Sequence, residues 1–592
     1  MVREKILQPF KAMAMAILLA ANIFILVPNV LYMGNLDEFV VSLPTILSYY
    51  IRPAIFLIVS FGLVGALLPV SIFRIYLVFL GVVNILLWFQ GNILIWEYGL
   101  LDGRAIDWSV GMWRGLLDLG IWIAVIPVAL FFHSRMGRPV IYMAVAIFVL
   151  QLTVTIVTDM QMAPKLSEKS GFKTSANAQN EVYRFSSNKN VVQLIMDGFQ
   201  SDLFEEIVND GEDGKRIASA LDGFVFFKEH MGVFPYTHMS VPAIVSGKIY
   251  QNQIPSNAFL EKVMGGKTIV SAARNAGYET DLITPPGLLY STYSKMPHTN
   301  AYIVPRKNHV TERDYERIDA AKLIDLTLFR IAPHFLKQFV YNDQRWLIQS
   351  AISDTSKYMQ LEFFAHKAVL GQFAEHMTAD RSTPVYKLFH LMLVHHPLVA
   401  NTNCGYAGHV LPIVRENAKT QAKCSLIEAV KLLEKMKELG IYDDALIVIM
   451  ADHGVWVPPA GLKLKEAVVA PNGQKVTMNP TIVAQALPLL AVKRPGAKGP
   501  LQTSMAPSWI IDTPATIASI LGFKEKFDGV SIFDIQPEEQ RVRKHYFYQY
   551  NRREWKVDYL NPLQEFTIKG SVFNTEYWEA GNRLLPGGIV AK

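Results

Sequence analysis

The stretch Val191-Val-Gln-Leu-Ile-Met196-Asp197-Gly-Phe-Gln-Ser-Asp202 decides the reading of this chain. An apolar run of strand length delivers a carboxylate into a glycine turn, the form of a β-strand that ends in a loop and feeds a helix. Similar runs rich in Val, Ile and Leu recur at Glu279–Thr284, Lys387–Val394, Ala445–Met450 and Leu487–Val492, alternating with helical patterns. That alternation predicts a doubly wound, mostly parallel α/β sheet. Between two of the runs, Ser425–Leu439 sets Leu426, Ala429, Leu432, Leu433 and Met436 at helical spacing, and Gly440 stands where a helix C-terminus favours glycine. Past the last strand, Tyr546–Trp578 is aromatic and β-branched with turn residues between, which predicts a small antiparallel sheet.

Upstream the composition changes. Apolar stretches run from Ala12 to Tyr32, Pro53 to Ser71, Ile75 to Trp96, Leu116 to Phe132 and Val140 to Thr158, with a shorter patch at Phe39–Tyr50. Each is near the roughly 20 residues that cross a hydrocarbon core about 30 Å thick as helix. A signal peptide is one apolar run with a cleavage site, whereas five in series predict a polytopic anchor. Arg3, Lys5, Arg74, Arg135 and Arg138 fall on one side of these stretches; Asp37, Glu38, Glu97, Asp102 and Asp107 fall on the other, with Arg104 and Arg114. Cytoplasmic loops keep excess positive charge, so the N-terminus is expected inside and everything after Asp159 outside, in the periplasm of a cell with two membranes. The expected division is a transmembrane region at 1–160, a polar linker at 161–189, an α/β domain at 190–535 and a β subdomain at 536–592.

Other function classes find little support. The net charge of +6 over 592 residues comes without a run of Lys and Arg, so no nucleic-acid partner is expected. Cys404 and Cys424 are the only cysteines, both in the exported part where a disulfide can persist, and there is no CxxC pair for a zinc site.

In open α/β sheets, ligands bind beyond the C-terminal ends of the strands. Asp197 stands at one such end, where a helix-capping role is the plain alternative to a ligand. Asp452-His453-Gly454 closes another strand with an oxygen and a nitrogen donor side by side, a pair suited to Zn²⁺ or Mn²⁺. Between them lies Tyr236-Thr237-His-Met-Ser240-Val-Pro242, a hydroxyl ahead of a proline that can sit in a helix's first turn. Helix N-termini favour phosphate, and a divalent metal can turn an otherwise weak hydroxyl into a nucleophile. Val394-His395-His396-Pro397 closes a further strand.

These spacings resemble the alkaline phosphatase and sulfatase superfamily over roughly residues 190–535, and more closely its membrane-anchored phosphotransferases, the lipid A phosphoethanolamine transferases and lipoteichoic acid synthases. Thr237 stands ten residues before Gly247, which follows Ser246, as the family's nucleophile does before its glycine. Thr237, Ser240, Val241 and Pro242 match the Thr-x-x-Ser-Val-Pro pattern, Ala276-Gly-Tyr-Glu-Thr280 resembles the AGYET segment, and Asp512-Thr-Pro-Ala-Thr516 the segment before Leu521-Gly522. The resemblance implies a metal held by Asp197, Thr237, Asp452 and His453, a nucleophilic Thr237, and His395, with His396 and Ser240, on the phosphoryl group. Asp197 replaces the glutamate of the named phosphotransferases and is closer to sulfatases and phosphodiesterases. The sulfatase nucleophile motif, by contrast, is missing, because Met239 and Val241 stand where it needs Pro and Arg.

The implied reaction moves a phosphoethanolamine or phosphoglycerol group from a phospholipid to an envelope glycan or lipid at the bacterial inner membrane. A tethered hydrolase and a non-catalytic lipid sensor are the alternatives. His238, His298 and His409 carry no such pattern.

Overall fold

The computed structural model describes residues 2–591 apart from 37–38, 40, 97, 99–107, 110, 172–180, 286–287, 305–311, 343–345, 353–355, 471–472 and 551–556. The loop charges Asp37, Glu38, Glu97, Asp102, Arg104 and Asp107 and the middle of the expected linker therefore lie outside the described residues. The chain forms two compact units, Met1–Lys173 with Val310–Thr355, and Thr174–His309 with Ser356–Lys592.

In the first unit, helices at Lys5–Met33, Leu43–Leu67, Val70–Asn92, Met112–Phe131 and His133–Met162 are long and apolar enough to cross a membrane. The patch at 39–50 opens the second of them, because Leu43–Ser48 runs through a short turn into Ile51–Leu67. Large apolar side chains face outward, Phe56 at 75% and Leu67 at 81% exposure, while Asn84, Gln90 and Asp118 are buried. This is the inverse of a water-soluble bundle and suits a lipid solvent. This is a multi-pass membrane protein.

The same unit contains three helices from far along the sequence, Glu312–Ile331, His334–Tyr341 and Leu347–Ile352. Specific hydrogen bonds dock them. Tyr50 Oη donates to the Ala320 carbonyl (2.6 Å), the Val41 amide to Asp319 Oδ2 (2.8 Å), Arg330 Nε to the Gly91 carbonyl (2.8 Å) and the His334 amide to Asp118 Oδ2 (3.0 Å). All these partners lie at one end of the spans, around the connections 34–50 and 91–118.

The second unit is built on an eight-stranded sheet. Its strands are β1 (Asn190–Met196), β2 (Phe224–Phe227), β3 (Glu279–Thr284), β4 (Asn300–Ile303), β5 (Val385–Leu391), β6 (Leu446–Met450), β7 (Leu490–Lys493) and β8 (Gln502–Ser504). Their order is β8-β2-β7-β6-β1-β5-β3-β4, and only β7 runs against the rest. The five strands expected from sequence are all present; β2, β4 and β8, three or four residues each, went unread.

Helices cover both faces, and alternate strand residues feed two separate cores. Ile195, Val448 and Met450 enter one, with Ile244 of α2 (Thr237–Ser246) and Ile517 of α4 (Asp512–Leu521). Leu194, Ile447 and Ile449 enter the other, with Leu203 of α1 (Ser201–Val208) and Leu432 of α3 (Arg415–Glu438). Gly440, just past α3, takes the left-handed φ of 69° that its place at the helix end foretold. Cys404 and Cys424 are joined, tying the hairpin of Leu398–Ala400 and Tyr406–Leu411 to α3.

The C-terminal strands Arg543–Phe547, Leu563–Ile568, Trp578–Leu585 and Ile589–Val590 form an antiparallel sheet. The sheet is fastened to the loop that leads into α2. Arg543, wholly buried, donates to the Glu229 and Ser508 carbonyls, and Glu229 accepts from Ser571 Oγ (2.7 Å) and the Val572 amide (2.8 Å). Asp512, the first residue of α4, accepts from both Arg541 nitrogens (2.7 and 3.0 Å) and from the Trp509 amide, so the family-like segment around it is a structural hub.

Candidate active site

Three neighbouring parallel strands, β6, β1 and β5, end on the same edge of the sheet, and their following residues converge. Asp197 follows β1 directly, Asp452 and His453 lie two and three residues past β6, and His395 four past β5. Gly198 permits this crowding. Its φ is 76°, and a side chain there would meet the His395 backbone at 3.2 Å.

Thr237 opens α2 opposite this edge. Its Oγ1 donates to Asp197 Oδ2 at 3.2 Å and lies 3.3 Å from His453 Nε2. Asp197, Asp452 and His453 are buried and present donor atoms within 4.8 Å of one another. Among the described residues, this trio is the group of three or more His, Cys, Asp and Glu side chains placed to hold a metal ion.

Asp197 Oδ1 and Asp452 Oδ2 are buried without a hydrogen-bond partner. His453 Nε2 lies 3.6 Å from the first and 3.5 Å from the second, too long for hydrogen bonds. His453 Nδ1 donates to the Gly454 carbonyl (3.0 Å), which leaves the Nε2 lone pair aimed at the gap. Two orphaned carboxylate oxygens and one imidazole lone pair about a common point fit a divalent cation, because bare buried carboxylates are costly.

The two acids draw positive charge to this point, which a proton on His453 can supply in place of the ion. Burial pushes the Asp197 carboxyl up, but His395, His390 and His453 together hold it well below the usual carboxylate range. Burial disfavours charge on His453, yet Asp452 and Asp197 raise its imidazole above the ordinary value. Burial, with His395 adding, drives His396 down to about 3, so that ring is neutral.

Of the other sequence candidates, His395 donates Nδ1–H to the His396 carbonyl (2.6 Å), and its ring stacks on that of His396 and stands 6.3 Å from His453. Gln421 fixes this loop by donating to the His395 carbonyl (3.2 Å). His396 turns onto Trp456, ring centres 4.2 Å apart. Ser240 is buried and donates to the Phe234 carbonyl (3.2 Å), closing the turn before α2. His238 is buried among apolar neighbours in α2, His298 bonds the Met296 carbonyl, and the side chain of His409 lies outside the described residues.

Two site residues went unread. His390, inside β5, donates Nε2–H to Asp197 Oδ2 (3.1 Å), and its Nδ1 meets Tyr293 Oη at 2.7 Å. A chain Tyr293–His390–Asp197–Thr237 therefore runs from the interior to the hydroxyl. The available signal was a lone histidine within the apolar run of β5. A hydroxyl at a helix start thus faces acids from two adjacent strands. The fold is a doubly wound, mostly parallel α/β sheet.

No family model matches the chain, and no curated protein is similar to it. Similar solved structures include the PsFucS1 sulfatase from Pseudoalteromonas sp. (TM-score 0.38, 13% identity, covering 66% of this chain and 81% of that chain). They include the lipoteichoic acid synthase LtaP from Listeria monocytogenes (TM-score 0.35, 12% identity, 69% and 87%). The C-terminal periplasmic domain of EcEptC from Escherichia coli is a third (TM-score 0.34, 11% identity, 63% and 92%). What this site can do is decided by its own residues.

Proposed function

We propose that this chain is a metal-dependent transferase that moves a phospho-headgroup, phosphoethanolamine or phosphoglycerol, from a membrane phospholipid to an envelope glycan or lipid through a phosphothreonine intermediate. The observation that carries it is the Thr237 hydroxyl set between Asp197 and His453 at a helix N-terminus, beside two unpartnered carboxylate oxygens.

Asp197, Asp452, His453 and Thr237 Oγ1 would hold the cation, Zn²⁺ or Mn²⁺ by its mixed oxygen and nitrogen donors. Bound there, it supplies charge that favours the Thr237 alkoxide and neutralises phosphoryl oxygens. Asp197 Oδ2 accepts the Thr237 hydrogen bond and turns an oxygen lone pair toward an incoming phosphorus. The first-turn amides of α2, and His395 when its Nε2 also carries a proton, donate to the non-bridging oxygens. The Oγ–P bond forms as the bond from phosphorus to the diacylglycerol oxygen breaks; the hydroxyl proton leaves to solvent and the departing alkoxide takes one up. A second hydroxyl then attacks phosphorus and gives up its proton to solvent as the Oγ–P bond breaks and Thr237 Oγ1 takes a proton up. His390 and Tyr293 act through Asp197, fixing the carboxylate.

The anchor supports a lipid donor, since tethering confines the domain near its substrate. The site belongs on the outer side of the inner membrane. The inserted helices leave the α/β chain after β4, and they dock on the connections at one end of the spans, which supports an odd number of crossings. The loop charges then put that end outside.

The test is mass spectrometry of the purified full chain, loaded with Zn²⁺ or Mn²⁺ and incubated with mixed phospholipids. An adduct on Thr237 is expected, its mass naming the headgroup. Lipid turnover without any adduct would sink the covalent route, and adduct discharge to water alone in the presence of glycan and lipid acceptors would make the protein a hydrolase.

A further inference from the structure

We propose that the inserted helix His334–Tyr341 lies in the membrane surface at the end of the spans where the chain leaves Met162, with Phe339 and Leu336 inserted among lipid headgroups. The eight-residue helix has two unlike faces. His334, Lys337, Val340 and Tyr341 are buried, while Leu336 and Phe339 are 53% and 63% exposed. At 100° per residue, Phe339 falls near the middle of the outward face. Large apolar side chains on an outward helix face imply a covering partner.

Three observations make that partner lipid. The first is continuity with the surface that faces hydrocarbon. The helix packs on the first turns of the fourth span, where the His334 amide donates to Asp118 and a side chain added at Gly115 would strike His334 at 2.7 Å. Met112, Trp113 and Leu116 of that same span are exposed beside it. The second is the aromatic surround. Trp96 and Trp113 pair at 5.5 Å with the Arg114 guanidinium over both rings, and Tyr98 packs on Trp108 at 5.7 Å and on His334. Trp, Tyr and Arg concentrate where hydrocarbon gives way to headgroups. The third is anchoring. Lys337 turns inward to the Phe329 and Arg330 carbonyls, so the cation of this helix sits on the buried side and the exposed side carries Leu336 and Phe339 with the uncharged Gln338. A helix of this kind sits about 5–10 Å into the boundary between headgroups and acyl chains.

This inference rests on reading the five helices as membrane spans, and the experiment separates the two. Cys404 and Cys424 are joined, so a thiol-reactive NBD label goes to an introduced cysteine. The full chain is reconstituted in vesicles of phosphatidylethanolamine and phosphatidylglycerol doped with nitroxide lipids. Labels at Leu336→Cys and Phe339→Cys should emit to the blue of a label at Lys498→Cys, an exposed position of the α/β unit, and be quenched several-fold more by a nitroxide near the lipid carbonyl. A label at Phe56→Cys should be quenched by a nitroxide deep in the acyl chain. Water-like, unquenched emission at 336 and 339 with Phe56→Cys quenched overturns the proposal alone. Blue-shifted emission without quenching also overturns it, since protein, such as a second copy, then covers the face. No quenching at Phe56→Cys removes the membrane reading and the proposal with it.

Discussion

Two buried acidic sites treat their carboxylates in opposite ways. In the membrane unit, Asp118 is wholly buried and both oxygens are engaged. Oδ1 accepts from Trp96 Nε1 (2.9 Å), and Oδ2 accepts from Gln90 Nε2 (3.0 Å) and the His334 amide (3.0 Å). In the α/β unit, Asp197 and Asp452 are equally buried, yet each keeps one oxygen without a partner. Burial by itself therefore says little about role. A satisfied carboxylate holds structure together, whereas orphaned ones facing an imidazole lone pair mark a place for a cation.

The largest effect expected from this contrast is chemical. Thr237→Ala should cut turnover by at least about 10⁴-fold and abolish the covalent adduct, because it removes the oxygen on which the adduct forms. Retention of the adduct, read by intact mass, would break the comparison at its centre.

His390→Ala should lower metal affinity or activity by about 10–100-fold by loosening Asp197. Titration of the ion against the variant measures this, and unchanged affinity and turnover together would reduce His390 to a packing residue.

Asp118→Ala should cost about 3 kcal/mol by leaving its three donors buried and unmet. The full chain in detergent should melt lower, while its stabilisation by added Zn²⁺ or Mn²⁺ stays intact. Loss of the ion's effect would mean that the two carboxylate sites do not differ as argued.

The last effect is on pH dependence. Burial, with Arg543 near it, drives His230 down to about 3, and burial drives His545 down to about 4. Both are neutral when folded, whereas the unfolded chain takes up protons below about pH 6.5. The unfolded state then binds more protons, so stability is complete above that pH and falls as pH drops toward 3 to 4. Denaturant melts of the α/β unit within the full chain between pH 7 and 5 should show the decline; a flat profile would contradict it.

Much of this was legible in the sequence. Long apolar stretches are legible because each span must be apolar over its own length, whatever its neighbours do. β1, β6 and β7 were legible because central strands are buried on both faces and read as nearly continuous apolar runs, while β3 and β5 carry polar residues within theirs. The short strands β2, β4 and β8 offer too few residues for that pattern. Asp452 and His453 stood out because neither has an obvious packing role at its turn, and Asp197 and Thr237 through the spacing that resembles the family pattern.

What the sequence alone determined is this inventory: spans, strands and the polar residues at their ends, all features of local pattern. The tertiary structure decided which of them meet. Sheet order brings β6, β1 and β5 side by side, joining residues 197, 390 and 452 across gaps of 193 and 62 positions. It also sends residues 310–355 out of the α/β chain and onto the spans, although their helical periodicity is like that of any amphipathic helix. Periodicity reports that a face will be buried; only the packed fold reports against what.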